Sequence, residues 1–392
     1  MILLSLLMAQ GVSGAPATQE PVPAATMAPA TSEAVAQAGK VVDAGLGFLL
    51  ETQNGDGSWG GYQDPMIYDQ FWSNPETHRS WTIATTGLVC MALMDLPEEA
   101  RSEAALHHGI DYLTSSPELK RPSDWDTDNT WGYVYGFVAL VKASAHPRLG
   151  AGSRKVAIEA RGKAFLQNLY DYQAPNGGWA YYDDETKALR PSWATSFQTA
   201  VAILGLLDAK ELGWEIEEDR LRRAVAALQR CRLPDGSYTY SIETIPSLDA
   251  GTGIDRVRGS LSRIQVCNLA LIRAKEAGYD AKITDADLME GLGLLFREHH
   301  YLDIARGRPY PHEAYHYNSG YFYFFGHYYA GLVVERLGGR AKDRYLPALV
   351  KEIGKTQSPD GSMIDYFMND YGRPYGVAYG IGALIRATAS AP

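Results

Sequence analysis

The chain of 392 residues reads as an all-α protein, a repeat of about six helical hairpins in a single domain. Three observations predict it. Long stretches carry apolar residues at i, i+3, i+4 and i+7, as at Val42, Leu46, Leu49 and Leu50, which is the period of a helix with one buried face. A short phrase returns four times, at spacings that are one or two multiples of about sixty residues. Each copy lies between two helix-like stretches, so each marks the middle of a hairpin.

The phrase first appears as Gln53-Asn54-Gly55-Asp56-Gly57-Ser58-Trp59, and then as Gln173-Ala174-Pro175-Asn176-Gly177-Gly178-Trp179. It returns as Arg232-Leu233-Pro234-Asp235-Gly236-Ser237-Tyr238, with its glutamine displaced to Gln229, and as Gln357-Ser358-Pro359-Asp360-Gly361-Ser362-Met363. The glutamines step by 120, 56 and 128 residues, so two further units belong near positions 113 and 297. Runs Ala104–Leu113 with Trp131–Val141, and Leu288–Phe296 with Tyr317–Val334, supply them without the phrase. The second helices of the other four units are read at Trp81–Leu93, Trp193–Leu207, Leu261–Ile272 and Tyr375–Ile385. Asp-Gly or Asn-Gly supplies the positive φ needed where the first helix stops. The aromatic two residues later is expected to pack over the helix end, and the glutamine to satisfy orphan backbone groups there.

Ahead of the repeats, residues 1–15 hold a short apolar run, Ile2–Met8, followed by small residues, the pattern of a signal peptide too short to span a membrane. Residues 16–37 are rich in Ala, Pro and Thr and are expected to be a linker; residues 38–390 form the repeat domain. The expected location is exported, periplasmic or extracellular. A formal charge of −10 argues against nucleic acid and against an anionic membrane surface. The three cysteines, Cys90, Cys231 and Cys267, match no zinc spacing and are expected to be buried thiols. No motif names a metal or a cofactor, and no second apolar span follows the first.

The Gln-x-x-x-Gly-x-Trp phrase resembles the QW repeat of squalene–hopene and oxidosqualene cyclases and of protein prenyltransferase β-subunits. The resemblance implies that the hairpins close into an α/α toroid, a barrel in which outer helices lead through the phrase into inner helices lining a central cavity. The same barrel type carries polysaccharide lyases and thioester complement-like domains, so it does not by itself give a reaction. The Asp-x-Asp-Asp acid of terpene cyclases, the Asp-x-Cys zinc ligands of prenyltransferases and a thioester Cys-x-Glu-Gln are all missing from the sequence.

Candidate site residues come from the two units that lack the phrase, which face each other in a closed ring of six. Unit two offers Asp124, Asp126 and Asp128, which suit a hard cation or a raised-pKa acid, or simply cap the helix that carries Trp131. Unit five offers His316, Tyr317, Tyr323 and His327 for proton transfer, with Arg308, Asn318 and Tyr321 for ligand binding. On a continuous helix His316, Gly320, Tyr323 and His327 share one face. His312, His316 and His327 make a zinc set if they converge. Arg79 with Trp81, Arg190 with Trp193, Arg256 and Arg373 recur at the starts of inner helices, where an anion is favoured. The expected ligand is a prenyl or triterpenoid lipid, or an acidic glycan; the remaining reading is a non-catalytic scaffold that binds a protein.

Overall fold

The computed structural model describes residues 32–62, 75–120, 129–180, 193–242, 253–308, 312–367 and 370–389. They contain thirteen α-helices and no strand. Outer helices are α1 (Ser32–Glu51), α3 (Ala100–Ser115), α5 (Gly152–Tyr172), α7 (Glu218–Arg230), α9 (Asp285–Arg297) and α12 (Gly339–Gly354). Each is followed by an inner helix: α2 (Pro75–Met94), α4 (Asn129–Ala145), α6 (Ser196–Glu211), α8 (Val257–Glu276), α11 (Phe322–Leu337) and α13 (Gly372–Thr388). The short helix α10 (His300–Ala305) lies in the connection between α9 and α11.

Each inner helix packs on the inner helices of the units before and after it, and α13 packs on α2, so the ring of six is closed. Inner helices are apolar nearly all round because both of their sides are covered, whereas α7 and α12 are amphipathic. α1 begins at Ser32, inside the segment expected to be linker. Its small Ala34 and Ala38 are buried, and the helix packs on α12 and α13. The three cysteines are free and buried. Among the described residues no helix is long and apolar enough to cross a membrane.

The repeated phrase is the staple of this ring. Gly57, Gly177, Gly236 and Gly361 all have φ between 83° and 99°. The Asp or Asn before each accepts the backbone N–H two residues on, at 3.0 or 3.1 Å, which closes the turn. Trp59 and Trp179 are fully buried, and each indole donates to a carbonyl of its own outer helix at 2.7 Å. The glutamine amide reaches further than the sequence suggests. Gln53 donates to Gly57 O and to Ala105 O of the next outer helix, both at 2.9 Å, and Gln173 does the same to Gly177 O and Arg220 O. Gln357 donates to Val41 O at 2.9 Å, so the last copy of the phrase ties the sixth hairpin to the first.

The two ends of the ring differ. Turns from inner to outer helices are short, down to Gly338 alone between α11 and α12, whereas every connection from outer to inner helix is long. The long connections and all six inner-helix N-termini share one end, the usual place for function on a rigid scaffold.

Candidate functional site

Each unit brings an amphipathic aromatic residue to the long-loop end: Trp81, Trp131, Trp193, Tyr240, Tyr321 and Tyr375, all half-buried. Contacts between rings and side chains link most of them into a collar. Trp131 stacks on Tyr135 (5.6 Å between centroids) and lies 6.2 Å from Phe197, which meets Tyr240 at 5.4 Å. Tyr321 faces Tyr366 at 5.9 Å, and Trp81 and Tyr321 pack on the same Tyr366–Tyr371 pair. Tyr375 donates its hydroxyl to Tyr321 O.

Below the collar the lumen is blocked. Tyr135 of α4, Phe325 and Tyr329 of α11, and Tyr379 of α13 are buried across the axis. The Tyr379 hydroxyl donates to Tyr135 Oη at 2.5 Å, and Phe197 of α6 lies 6.1 Å from Phe325. These contacts join units two and six, and three and five; units two and five, opposite in the ring, meet where Tyr135 hydrogen-bonds Tyr329. Beyond this plug, at the short-turn end, a chamber of about 650 Å³ opens. Met91, Val138, Val201, Leu204, Leu269 and Leu332 line its depth. Its rim is ion-paired: Lys142 with Asp95 at 2.6 Å, Arg386 with Glu335 at 2.7 Å, and Arg273 with Asp208 at 2.9 Å. Burial holds Lys142 below its ordinary pKa and raises those of Asp208 and Glu335.

A titratable ring at the collar, against Tyr240 and Tyr321, is His312. Its Nδ1 lies 2.8 Å from Tyr317 O, an acceptor only, so Nδ1 carries the proton and Nε2 keeps a lone pair. Burial lowers its pKa, so the ring is neutral at pH 7. Its ring meets Tyr240 at 5.9 Å and Tyr321 at 6.4 Å, both edge to face. Ser319 Oγ lies 2.9 Å from the same Nδ1. The turn that supplies Tyr317 O is strained: Tyr317 has φ 56°, the one positive value at a non-glycine among the described residues. Glu313 holds the turn by accepting the N–H groups of Tyr315, at 2.8 Å, and His316.

Beneath Tyr240, Arg263 is fully buried. It donates to Gly259 O, Tyr238 O and Ile254 O, and its guanidinium lies 5.3 Å from the Tyr240 ring and 5.8 Å from Phe322. No carboxylate of the described residues pairs with it. Asp365, also fully buried, accepts Phe324 N–H at 3.1 Å at the start of α11, and burial pushes its pKa up to about 8.

The residues expected from sequence distribute unevenly. Trp81, Trp131, Trp193 and Tyr321 belong to the collar. Tyr317 contributes its carbonyl, while its side chain is exposed. The shared helical face expected for His316, Gly320, Tyr323 and His327 does not form, because the strained turn at Tyr317 delays α11 until Phe322. His316 instead packs on Tyr301 at 4.6 Å, and Asn318 donates to Arg258 O. Tyr323 and His327 are fully buried behind α11: Tyr323 donates to Glu352 O at 2.9 Å, and His327 Nε2 meets His299 Nε2 at 2.9 Å. His312, His316 and His327 thus have three different neighbourhoods and form no zinc set. Arg79 is tied to Glu76 at 2.5 Å; Arg256, Arg308 and Arg373 are exposed. Asp124, Asp126, Asp128 and Arg190 lie outside the described residues. Sequence reading passed over Tyr240, Arg263 and Asp365. Asp365 carried one available signal, a carboxylate in an aromatic run directly after the fourth phrase.

No family model matches the chain, and no curated protein matches it in sequence. Solved structures do match in shape. A possible member of the GH105 family from Klebsiella pneumoniae is 13% identical, with 97% of this chain and 98% of that chain covered at a TM-score of 0.50. A possible GH105 member from Salmonella enterica matches with the same figures. A variant of the type II terpene cyclase MstE from Scytonema, in complex with merosterolic acid A, is 14% identical over 91% of this chain and 98% of that chain, at a TM-score of 0.49. At such identities the likeness is one of fold: the protein is an α/α toroid, here with an aromatic collar at its long-loop end.

Proposed function

We propose that the long-loop end binds an acidic glycan and that His312 moves a proton there, in the manner of a lyase. The collar carries this reading. Partly exposed Trp and Tyr rings offer a flat apolar face to the C–H face of a sugar, and their polar edges suit its hydroxyls. Six inner-helix N-termini and the buried Arg263 charge favour a carboxylate at this end. In such a reaction the lone pair on His312 Nε2 takes the proton from the carbon beside the uronate carboxylate. The bond from the neighbouring carbon to the glycosidic oxygen then breaks, and a collar tyrosine hydroxyl protonates the departing oxygen. Export, proposed from residues 1–15, would bring the chain to extracellular polymers.

Thermal shifts with uronic-acid oligosaccharides, prenyl diphosphates, squalene-like lipids and divalent metals test the class of ligand. At a hundred times its dissociation constant a ligand of the folded state stabilises by about 2.7 kcal/mol. A shift with uronates, together with ultraviolet absorbance from an unsaturated product that disappears in His312→Ala, supports the reading. A shift with lipids alone overturns it and favours the apolar chamber, whose volume lies within the ~300–1,000 Å³ of small-molecule sites. No shift with any class moves the preference to a protein-binding scaffold.

A further inference from the structure

A second group of chemically competent side chains lies on the outer side of α11, away from the collar. His299 precedes α10, Asp303 lies one turn further on, and Glu352 sits in the last turn of α12. Their donor atoms all lie within 4.8 Å of one another. His299 Nδ1 is 3.2 Å from Asp303 Oδ2 and 3.3 Å from Glu352 Oε2. For ligand atoms bound about 2.0–2.1 Å from a tetrahedral zinc ion, the edge of the tetrahedron is about 3.3–3.4 Å. The two spacings from the imidazole nitrogen therefore match those of a metal-ligand set.

The hydrogen bonds behind the group fix which nitrogen is available. His327 Nδ1 lies 2.7 Å from Tyr323 O and must donate to it, which leaves the lone pair of His327 on Nε2. His299 Nε2, 2.9 Å away, donates to that lone pair. The remaining lone pair of a neutral His299 is then on Nδ1 and points at two carboxylate oxygens. Acceptor against acceptor at this range is repulsive unless a proton or a metal cation lies between them. A ligating histidine whose other ring nitrogen is held by an outer hydrogen bond is the usual arrangement of metal sites. The Lys355 ammonium is the cation on these carboxylates now, 2.9 Å from Asp303 Oδ2 and in contact with Glu352 Oε2. It is partly exposed and stands on a flexible stem that can swing outward.

We infer that His299 Nδ1, Asp303 and Glu352 form a binding site for a divalent transition-metal ion, zinc being the first choice for one imidazole and two carboxylates. Water would fill the fourth position, and Lys355 would be displaced. The ion would clip the connection of hairpin five to the outer helix of hairpin six, independently of any ligand at the collar.

The test is metal content and affinity of the full chain, purified without chelator, loaded with Zn²⁺ and desalted. The expected result is close to one zinc per chain, lost in both His299→Ala and Glu352→Gln, and visible bands of tetrahedral Co²⁺ when cobalt replaces zinc. Lys355→Met removes the competing ammonium and should tighten zinc binding at least tenfold, whereas in a purely structural ion-pair cluster it would create no affinity. Circular dichroism checks that each variant is folded; if His299→Ala is not, Lys355→Met and Glu352→Gln decide. Wild type and Lys355→Met both binding no more zinc or cobalt than Glu352→Gln would overturn the inference.

Discussion

At the scale of single residues, burial sets the protonation states that matter. His312 must be neutral to accept a proton, and burial already holds its pKa below the ordinary value. The acid limb of any activity should therefore lie below about 6.5, and His312→Ala should lower kcat/KM by about 10²–10⁴-fold. A pH profile of wild type beside the variant checks both. Asp365 works in the opposite direction. Its folded pKa of about 8 exceeds that of an unfolded aspartate, about 3.9. The folded state therefore holds the proton longer, and stability falls as pH rises from about 4 to about 8, by up to about 1.4 kcal/mol per pH unit. Asp365→Asn keeps an oxygen for Phe324 N–H and removes the titration. Its melting temperature should gain on that of wild type steadily between pH 5 and 8; a constant difference would refute the assignment.

At the scale of elements, the repeated phrase does two jobs, and each can be removed separately. Gly57 has φ 91°, and an added Cβ would lie 2.3 Å from His108 O of the neighbouring outer helix. Gly213 has φ 81° with open space around it. Gly213→Ala should cost about 1–2 kcal/mol, the left-handed backbone penalty alone, and Gly57→Ala clearly more. Gln357→Ala removes the donor that binds Val41 O, and should cost about 1–3 kcal/mol in urea unfolding. Because that bond joins the last hairpin to the first, hydrogen exchange should rise in α1 and α12 together, and not in α12 alone.

At the scale of the whole molecule, the aromatic plug separates two ends of the ring with different chemistry. One is rimmed by Trp and Tyr at the helix N-termini; the other is apolar in its depth and ion-paired at its rim. Their ligands should be independent. Val138→Phe adds a ring to the lining of the apolar chamber and should weaken binding of an apolar fluorescent dye there. Oligosaccharide-induced thermal shifts should stay unchanged, and a parallel loss of both would mean that the lumen is a single site.

Periodicity in the sequence was sufficient for the fold class because a helix with one apolar face must be covered, and a sixty-residue repeat of such helices can cover itself by stacking. The four phrases even located the turns, since Asp-Gly and Asn-Gly carry their φ preference locally. The opposition of units two and five follows from counting six units in a closed ring. Closure itself was decided in three dimensions, by Gln357 reaching Val41 some three hundred positions earlier in the chain. The site was legible only in part. Trp81 and Trp193 could be named because they recur at inner-helix starts, and Trp131 and Tyr321 because they lie in the units without the phrase, but their neighbours could not. Tyr240, Arg263 and His312 come together from a connection, an inner helix and another connection. His299, Asp303 and Glu352 meet only because α12 packs against the fifth hairpin. The sequence by itself determined the six hairpins and the turns at the four phrases, because those depend on local backbone preferences and a period. Tertiary structure decided which side chains share a space, because that depends on how distant helices pack and on where the strained turn at Tyr317 allows α11 to begin.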